Sequence, residues 1–320
     1  MNHTTRGLTA LAVSVPLVLA GCGLSEEEDT TTDVQAGSVD PAALEGASLS
    51  VGSKDFDEQL LLGQLAIQML SAAGATVSDD TNIQGSTAAR NALIRGEIDT
   101  YYDYTGTGWI VYLKHTENIA DPEELYQNVA QEDLKENGLV WGQPAPFNNT
   151  YTMAVTEEFA EENSVATLSD MATYIDENPD SSVCVESEFA ARPDGLPGMA
   201  KAYDMNIPES SIQSLGVGVI YPQIDQGECD FGEVFTTDGR ISALGLLPLE
   251  DDKSFFPLYN GAPIVQEKNS EGDAILEVLA PLSETLTTEV MAELNAKVSA
   301  EGLPVEDVAS DYLTAEGFIE

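Results

Sequence analysis

Apolar and polar positions alternate through "ASLSVGSK" (47–54), as in a half-buried strand. The next stretch, "DFDEQLLLGQLAIQMLSAAGA", switches to helical spacing, with acids in its first turn and Gly74 near its end. "ATVSDDTNIQG" returns to strand character. "STAARNALIRG" reads as a short helix with a Ser or Thr cap, stopped by Gly96, and "EIDTYYDY" is a third strand. This β-α-β-α-β alternation predicts an α/β fold with a mostly parallel sheet.

A like-built unit follows later. "SSVCVES" reads as a strand, "RPDGLPGMAKAYD" holds a helix, "SSIQSLG" is a strand, "VIYPQIDQG" a helix and "CDFGEVFTTDGR" a strand with a turn. In both units a helix ends in Gly-Glu (Gly96-Glu97, Gly227-Glu228) and leads into a strand that closes on an aromatic followed by Thr: Tyr104-Thr105 and Phe235-Thr236. The last stretch, from Glu271 to Gly317, is helical by period. The expected architecture is two α/β lobes plus C-terminal helices. Lobe I takes residues 47–149 and 241–320, and lobe II takes 150–240.

The N-terminus is of a different kind. Arg6 precedes "LTALAVSVPLVLAG" (8–21), an apolar run too short and too Pro-broken for a membrane span. It ends in Leu19-Ala20-Gly21-Cys22, which resembles the lipobox of bacterial lipoproteins. That resemblance implies a signal peptide over 1–22, lipidation of Cys22 and an exported protein anchored outside the cytoplasmic membrane. Residues 23–46, acidic and poor in apolar side chains, read as a flexible tether.

Charge narrows the function. Twelve Lys+Arg stand against 56 Asp+Glu, a formal net charge of −44. Nucleic acid is therefore excluded as a partner, and anionic membrane surfaces repel such a chain, leaving the lipid anchor as the membrane contact. The acid excess reads as a solvated surface suited to salty surroundings. Cys184 and Cys229 lie in or beside apolar strands, where a bridge and two buried thiols are both open. No metal site or cofactor is expected.

Catalytic chemistry is thin. His3 falls in the leader, and His115 reads as a lone surface side chain. There is no G-x-S-x-G, H-E-x-x-H, P-loop or post-strand G-x-G-x-x-G. An enzyme is disfavoured. The three tyrosines of "TYYDY" are more informative. Strand alternation sends Tyr101 and Tyr102 into packing, whereas Tyr104 ends its strand, where ligands gather in open α/β sheets.

Six ordered blocks carry a specific resemblance: "VGSKDFDEQLLLGQL", "GEIDTYYDYTGTG", "FNNTYTMAV", "EFAARPDGLP", "FTTDGRI" and "LEDDKSFFPLYNGAPIV". Together they resemble the substrate-binding proteins of osmoprotectant ABC importers, the glycine betaine/carnitine/choline-binding family. The resemblance implies a type II periplasmic-binding-protein fold with a ligand cleft between two lobes. It implies an aromatic cage of Tyr104, Tyr151, Phe235 and Tyr259 around a trimethylammonium group, with Phe235 where the family usually has Tyr. Lys54, Thr107 and Arg192 would grip a ligand carboxylate. Asn149, near a position acidic in some relatives, and Thr87 are further cleft candidates. The implied partners are a small quaternary-ammonium ligand and a permease with its cytoplasmic ATPase, and a monomer is expected. The alternatives are a choline-preferring protein of the same class and, distantly, an exported α/β enzyme.

Overall fold

The computed structural model describes residues 34–320. The leader, Cys22 and the first part of the expected tether lie outside the described residues.

Two five-stranded sheets organise the chain. The first holds β1 (Ser48–Lys54), β2 (Thr76–Ile83), β3 (Thr100–Tyr104), β4 (Leu139–Trp141) and β10 (Gly261–Gln266), in the order β2-β1-β3-β10-β4. The second holds β5 (Tyr151–Thr156), β6 (Val183–Val185), β7 (Ile212–Ser214), β8 (Phe231–Phe235) and β9 (Leu246–Pro248), in the order β7-β6-β8-β5-β9. One design is used twice. β1 pairs parallel with β2 and β3, as β6 does with β7 and β8. The strand that the chain enters after each crossing runs antiparallel to its neighbours: β5 against β8 and β9, β10 against β3 and β4.

The helices follow local chemistry. α1 (Asp57–Ala72) opens on Asp57 and Glu58, which suit a helix N-terminus, and it is buried on nearly every side. The first sheet covers one side of it, and α9 (Gly272–Thr285), α10 (Thr288–Ser299) and α11 (Val305–Ala315) cover the others. α2 (Ser86–Arg95) stops at Gly96, whose φ of 72° suits glycine. α3 (Pro122–Asn137) starts on an Asp121 side-chain cap with Pro at its first position. In the second lobe lie α4 (Glu157–Asn163), α5 (Leu168–Glu177), α6 (Leu196–Ala202), α7 (Val217–Asp225) and α8 (Arg240–Leu244). Among the described residues no helix is long and apolar enough to cross a membrane.

Three expectations need correction. The second crossing comes later than residue 240, because β9 pairs with β5 and Glu250 bridges to Thr167. Its strand is only three residues long, too short for period-2 alternation to register. The tether also ends earlier than residue 46. Leu44 is 2% exposed, Ala36 bridges Ile319, and the Leu44 N–H donates to the Ala73 carbonyl at 2.8 Å. A few apolar side chains in a polar stretch suffice to dock it. His115 stacks on Trp109 and its Nε2 meets Glu132 at 3.0 Å, so it is tied into the surface, not isolated.

The cysteine alternative closes in favour of a disulfide. Cys184 in β6 and Cys229 just before β8 are bridged, with Cα atoms 5.8 Å apart. The bond spans 45 residues, and constraining an unfolded loop of that size stabilises the fold by about 4 kcal/mol on chain-entropy grounds. Replacing both cysteines with alanine is expected to lower unfolding free energy by about 2–4 kcal/mol. Urea denaturation of the variant against the oxidised protein measures this, and coincident midpoints would show the bridge to be thermodynamically silent.

Candidate ligand-binding site

The site forms where the two crossings meet the ends of corresponding strands. Tyr104, the last residue of β3, pairs with Gly261, the first of β10. Phe235, the last residue of β8, pairs with Tyr151, the first of β5. Tyr259 stands two residues before β10. The crossings are clipped together there: the Asn149 N–H donates to the Tyr259 carbonyl at 3.1 Å, and the Tyr259 N–H donates to Asn148 Oδ1 at 2.7 Å. The Asn260 amide also donates to the Phe147 carbonyl at 2.8 Å.

The four expected cage rings are thereby brought to one small cavity, of about 20 Å³, together with Lys54, Thr107, Arg192 and Asn149. Tyr151 lies 4.9 Å from Phe235 and 5.2 Å from Tyr259, centroid to centroid, the latter edge-on. A fifth ring joins them. Phe56 stacks on Phe235 at 5.1 Å with planes 9° apart, and also lies 6.3 Å from Tyr104. A volume of 20 Å³ holds about one water. The cavity shares Lys54, Phe56, Ser86, Tyr151 and Phe235 with a larger cleft of about 820 Å³, bordered by Asp55, Asp57, Glu186, Glu188 and Arg240.

Both basic side chains of the site are buried and already paired. The Lys54 ammonium donates to Asp103 Oδ1 at 2.7 Å and lies 4.9 Å from the Tyr104 ring centroid. Arg192 forms a bidentate pair with Asp194, at 2.9 and 2.6 Å. Its other terminal nitrogen reaches Glu188 at 2.9 Å, and Nη2 also reaches Thr107 Oγ1 at 3.3 Å, linking the lobes. Burial works against the Arg192 charge, yet Tyr151, Asp194 and Tyr259 hold the guanidinium above its ordinary value. Burial also pushes Glu188 up, but Lys54, Arg192 and the Ser86 N–H outweigh it and leave its carboxyl low. The phenols of Tyr104, Tyr151 and Tyr259 are raised, first by burial, so they remain neutral donors at physiological pH.

Sequence reasoning missed two residues here and misplaced one. Phe56 lies inside the quoted "SKDFDEQ" block, where its position just before an acidic helix start was the available signal. Glu58 looked like an ordinary first-turn acid, yet it is 4% exposed and accepts from Tyr104 Oη (2.8 Å), Asn149 Nδ2 (2.7 Å), Thr237 Oγ1 (2.6 Å) and Asn295 Nδ2 (2.8 Å). Thr87 is exposed in the first turn of α2 and lines neither cavity, whereas its neighbour Ser86 lines both. Tyr101 and Tyr102 pack in the interior, hydrogen-bonded to Asp103 and Ser283.

Two α/β lobes joined by two crossings, with a cleft between them, define a type II periplasmic solute-binding protein. A family model described as the substrate binding domain of the ABC-type glycine betaine transport system matches residues 47–315, and the chain belongs to that family. It is 35% identical over 273 residues to a glycine-betaine-binding protein of Pseudomonas aeruginosa, covering 83% of this chain and 87% of that one. It is 33% identical over 284 residues to the glycine betaine-binding protein YehZ of Escherichia coli, covering 86% of this chain and 93% of that one. The solved structure of apo YehZ superposes with a TM-score of 0.62 at 32% identity, covering 85% of this chain and 100% of that one. The chain is therefore an extracytoplasmic substrate-binding protein of an ABC importer, with a small-molecule ligand and a permease partner, and not an enzyme.

One buried carboxyl near the site makes stability depend on pH. Glu233 of β8 is raised to about 8, chiefly by burial, with the Glu186 N–H opposing the shift and the Glu186 charge adding to it. The folded protein thus keeps this proton to about pH 8, while the unfolded chain releases it near 4.5. The stability it contributes is full below the unfolded value and is lost as pH rises through the folded one. Glu233→Gln should lose this slope, so its stability relative to the parent should rise by roughly 2–4 kcal/mol between pH 4.5 and 8.5. Thermal unfolding across that window measures it, and parallel curves would refute it.

Proposed function

We propose that this protein captures glycine betaine, or a closely related quaternary-ammonium osmoprotectant, and delivers it to an ABC importer. The observation that carries this reading is the convergence of Tyr104, Tyr151, Phe235 and Tyr259 on one cavity, from the ends of two sheets and both crossings. A quaternary ammonium is charged but has no N–H, so it makes no hydrogen-bonded salt bridge. Ring faces attract it and bury its methyls, at ~0.5–2 kcal/mol per good contact. Several rings held by strand pairing supply such contacts without a large ordering penalty.

The ligand carboxylate is gripped by Lys54, Thr107 and Arg192. Lysine has three N–H donors, and Asp103 takes one of those of Lys54. On Arg192 the exchangeable partner is Glu188, whose side chain is 31% exposed, while Asp194 keeps the guanidinium oriented. Asn149 serves the cage through its amide. Ligand contacts from both lobes favour the closed form by differential affinity, and the closed form docks on a permease driven by a cytoplasmic ATPase. The protein acts as a monomer, lipid-anchored at Cys22 outside the cytoplasmic membrane.

A choline-preferring protein is the second reading, and one observation favours it. Lys54 and Arg192 already carry internal carboxylates, so a ligand without an acidic tail leaves neither unpaired. Titration calorimetry with glycine betaine, carnitine, choline and proline separates the two. In the betaine reading, Tyr104→Ala weakens both betaine and choline by about tenfold, the value of one good ring contact. Arg192→Ala weakens betaine at least tenfold more than choline, and equal losses would defeat the carboxylate assignment. Cys22→Ala should move the protein from the membrane fraction to the soluble extracytoplasmic fraction. Retention on the membrane would remove the lipid anchor from this reading.

A further inference from the structure

Among the described residues, the Glu58 carboxylate is the one charged group hydrogen-bonded to the cage residues whose hydrogen-bond partners are all neutral. Lys54 is answered by Asp103, and Arg192 by Asp194 and Glu188. The Lys54–Asp103 pair cancels to first order when viewed from the cavity, and Arg192 cancels Asp194, which leaves the partly exposed Glu188 carboxylate at the cleft rim as a second negative charge. Glu58 has four partners: a phenol, a hydroxyl and two amides. Among the described residues no Lys, Arg or His forms an ion pair with it, and the nearby charge that acts on it is Asp238, of the same sign.

A carboxylate withdrawn from water without a cation is costly unless something in the working cycle compensates it. Hydrogen bonds recover part of that cost. Burial raises the Glu58 carboxyl above its ordinary value and the Asp238 charge adds to the rise, while the bonds from Thr237, Tyr104 and Asn295 oppose it only in part. The geometry also gives the charge a direction. Two of the four donors, Tyr104 and Asn149, line the ring-bounded cavity, and Glu58 itself lies behind them. A phenol that donates to a carboxylate has a more electron-rich ring, which strengthens its attraction for a cation on its face.

We propose that Glu58 determines the charge selectivity of this site: its carboxylate, one ring and one amide behind the cavity, is the counter-charge for the ammonium head of the ligand. This rests on the quaternary-ammonium reading and adds to it the residue that separates a cationic head from a neutral one of equal shape. Glu58 acts through Tyr104 and Asn149 without touching the ligand, so it is a positioning and electrostatic residue. The other two donors give it a second consequence. Thr237 follows β8 in the second lobe and Asn295 lies on α10, so the same carboxylate ties α1 to both.

The test compares matched ligands. Choline and 3,3-dimethylbutan-1-ol have the same shape, with nitrogen replaced by carbon, and glycine betaine and 3,3-dimethylbutanoate form a second pair. Binding is measured by calorimetry, with competition for the weaker members. Glu58→Gln should weaken choline and glycine betaine by roughly tenfold, the effect of one charge acting through a protein interior over such a distance, and leave the neutral-headed isosteres within about twofold. Because the glutamine NH2 must face the amide NH2 of either Asn149 or Asn295, the double variant Glu58→Gln/Asn149→Asp, which gives that NH2 an acceptor, is made as well. It returns one negative charge to the same cluster and should restore the cationic ligands. Equal losses for cationic and neutral ligands, or no rescue by a double variant that folds, would assign Glu58 a structural role alone and overturn the inference. A parent protein that binds neither choline nor glycine betaine would instead defeat the ligand reading itself, which the unmodified chain reports separately.

Discussion

The register of two strand pairs is the constraint on which the site depends. Tyr104 against Gly261 and Tyr151 against Phe235 are antiparallel neighbours at the mouths of their sheets. Side chains alternate across a strand, so a slip of one residue in either pair would turn its ring to the opposite face. The crossings hold the register at their own level, through the Asn149–Tyr259 backbone bond and the side chains of Asn148 and Asn260. The same chain direction that makes β5 and β10 antiparallel also delivers Tyr151 and Tyr259 to the place where the lobes meet. Topology and site are one solution to one problem.

A second constraint is electrostatic. This chain has few basic residues and many acids, yet two of the few bases are buried in the site. Neither is left without a partner. Such buried pairs contribute little net stability, since desolvation offsets most of their attraction. Their value lies in geometry. Asp194 fixes the Arg192 plane and accepts from the Tyr259 hydroxyl at 2.6 Å, so one carboxylate orients both a cation and a ring. Asp103 likewise accepts from Lys54 and Tyr101 and from the Tyr104 backbone.

Much of this was legible in the sequence, for identifiable reasons. Tyr104 and Phe235 each end a strand and precede Thr, and the repeated helix–Gly–Glu–strand pattern marked the two lobes. Tyr151 and Tyr259 needed the ordered blocks, because neither lies on a periodic element that points to a cleft. Other features had no one-dimensional signal. A three-residue β9 is fixed by its partner β5, not by its own alternation. Glu58 is indistinguishable in sequence from Asp57 beside it, and only the approach of Thr237 and Asn295 from distant segments makes it a buried hub. Thr87 was off by a single residue: helical geometry placed Ser86 toward the cleft and Thr87 toward solvent.

Among the described residues no group of three or more His, Cys, Asp or Glu side chains is placed to hold a metal ion, the cage included. A hydrated sodium or potassium ion gives up its water only for oxygen ligands that replace it. Here the Tyr104 hydroxyl is engaged by Glu58 and the Tyr259 hydroxyl by Asp194, and the negative charge of Glu58 lies behind the rings. What the cavity presents is mainly carbon surface with an electron-rich face. A methylated ammonium is weakly hydrated, and in the proposed reading it loses little on entering and gains from both the rings and the charge behind them. On the reading proposed above, selectivity comes from ring faces with a carboxylate behind them, a combination that surface carboxylates, however numerous, do not provide.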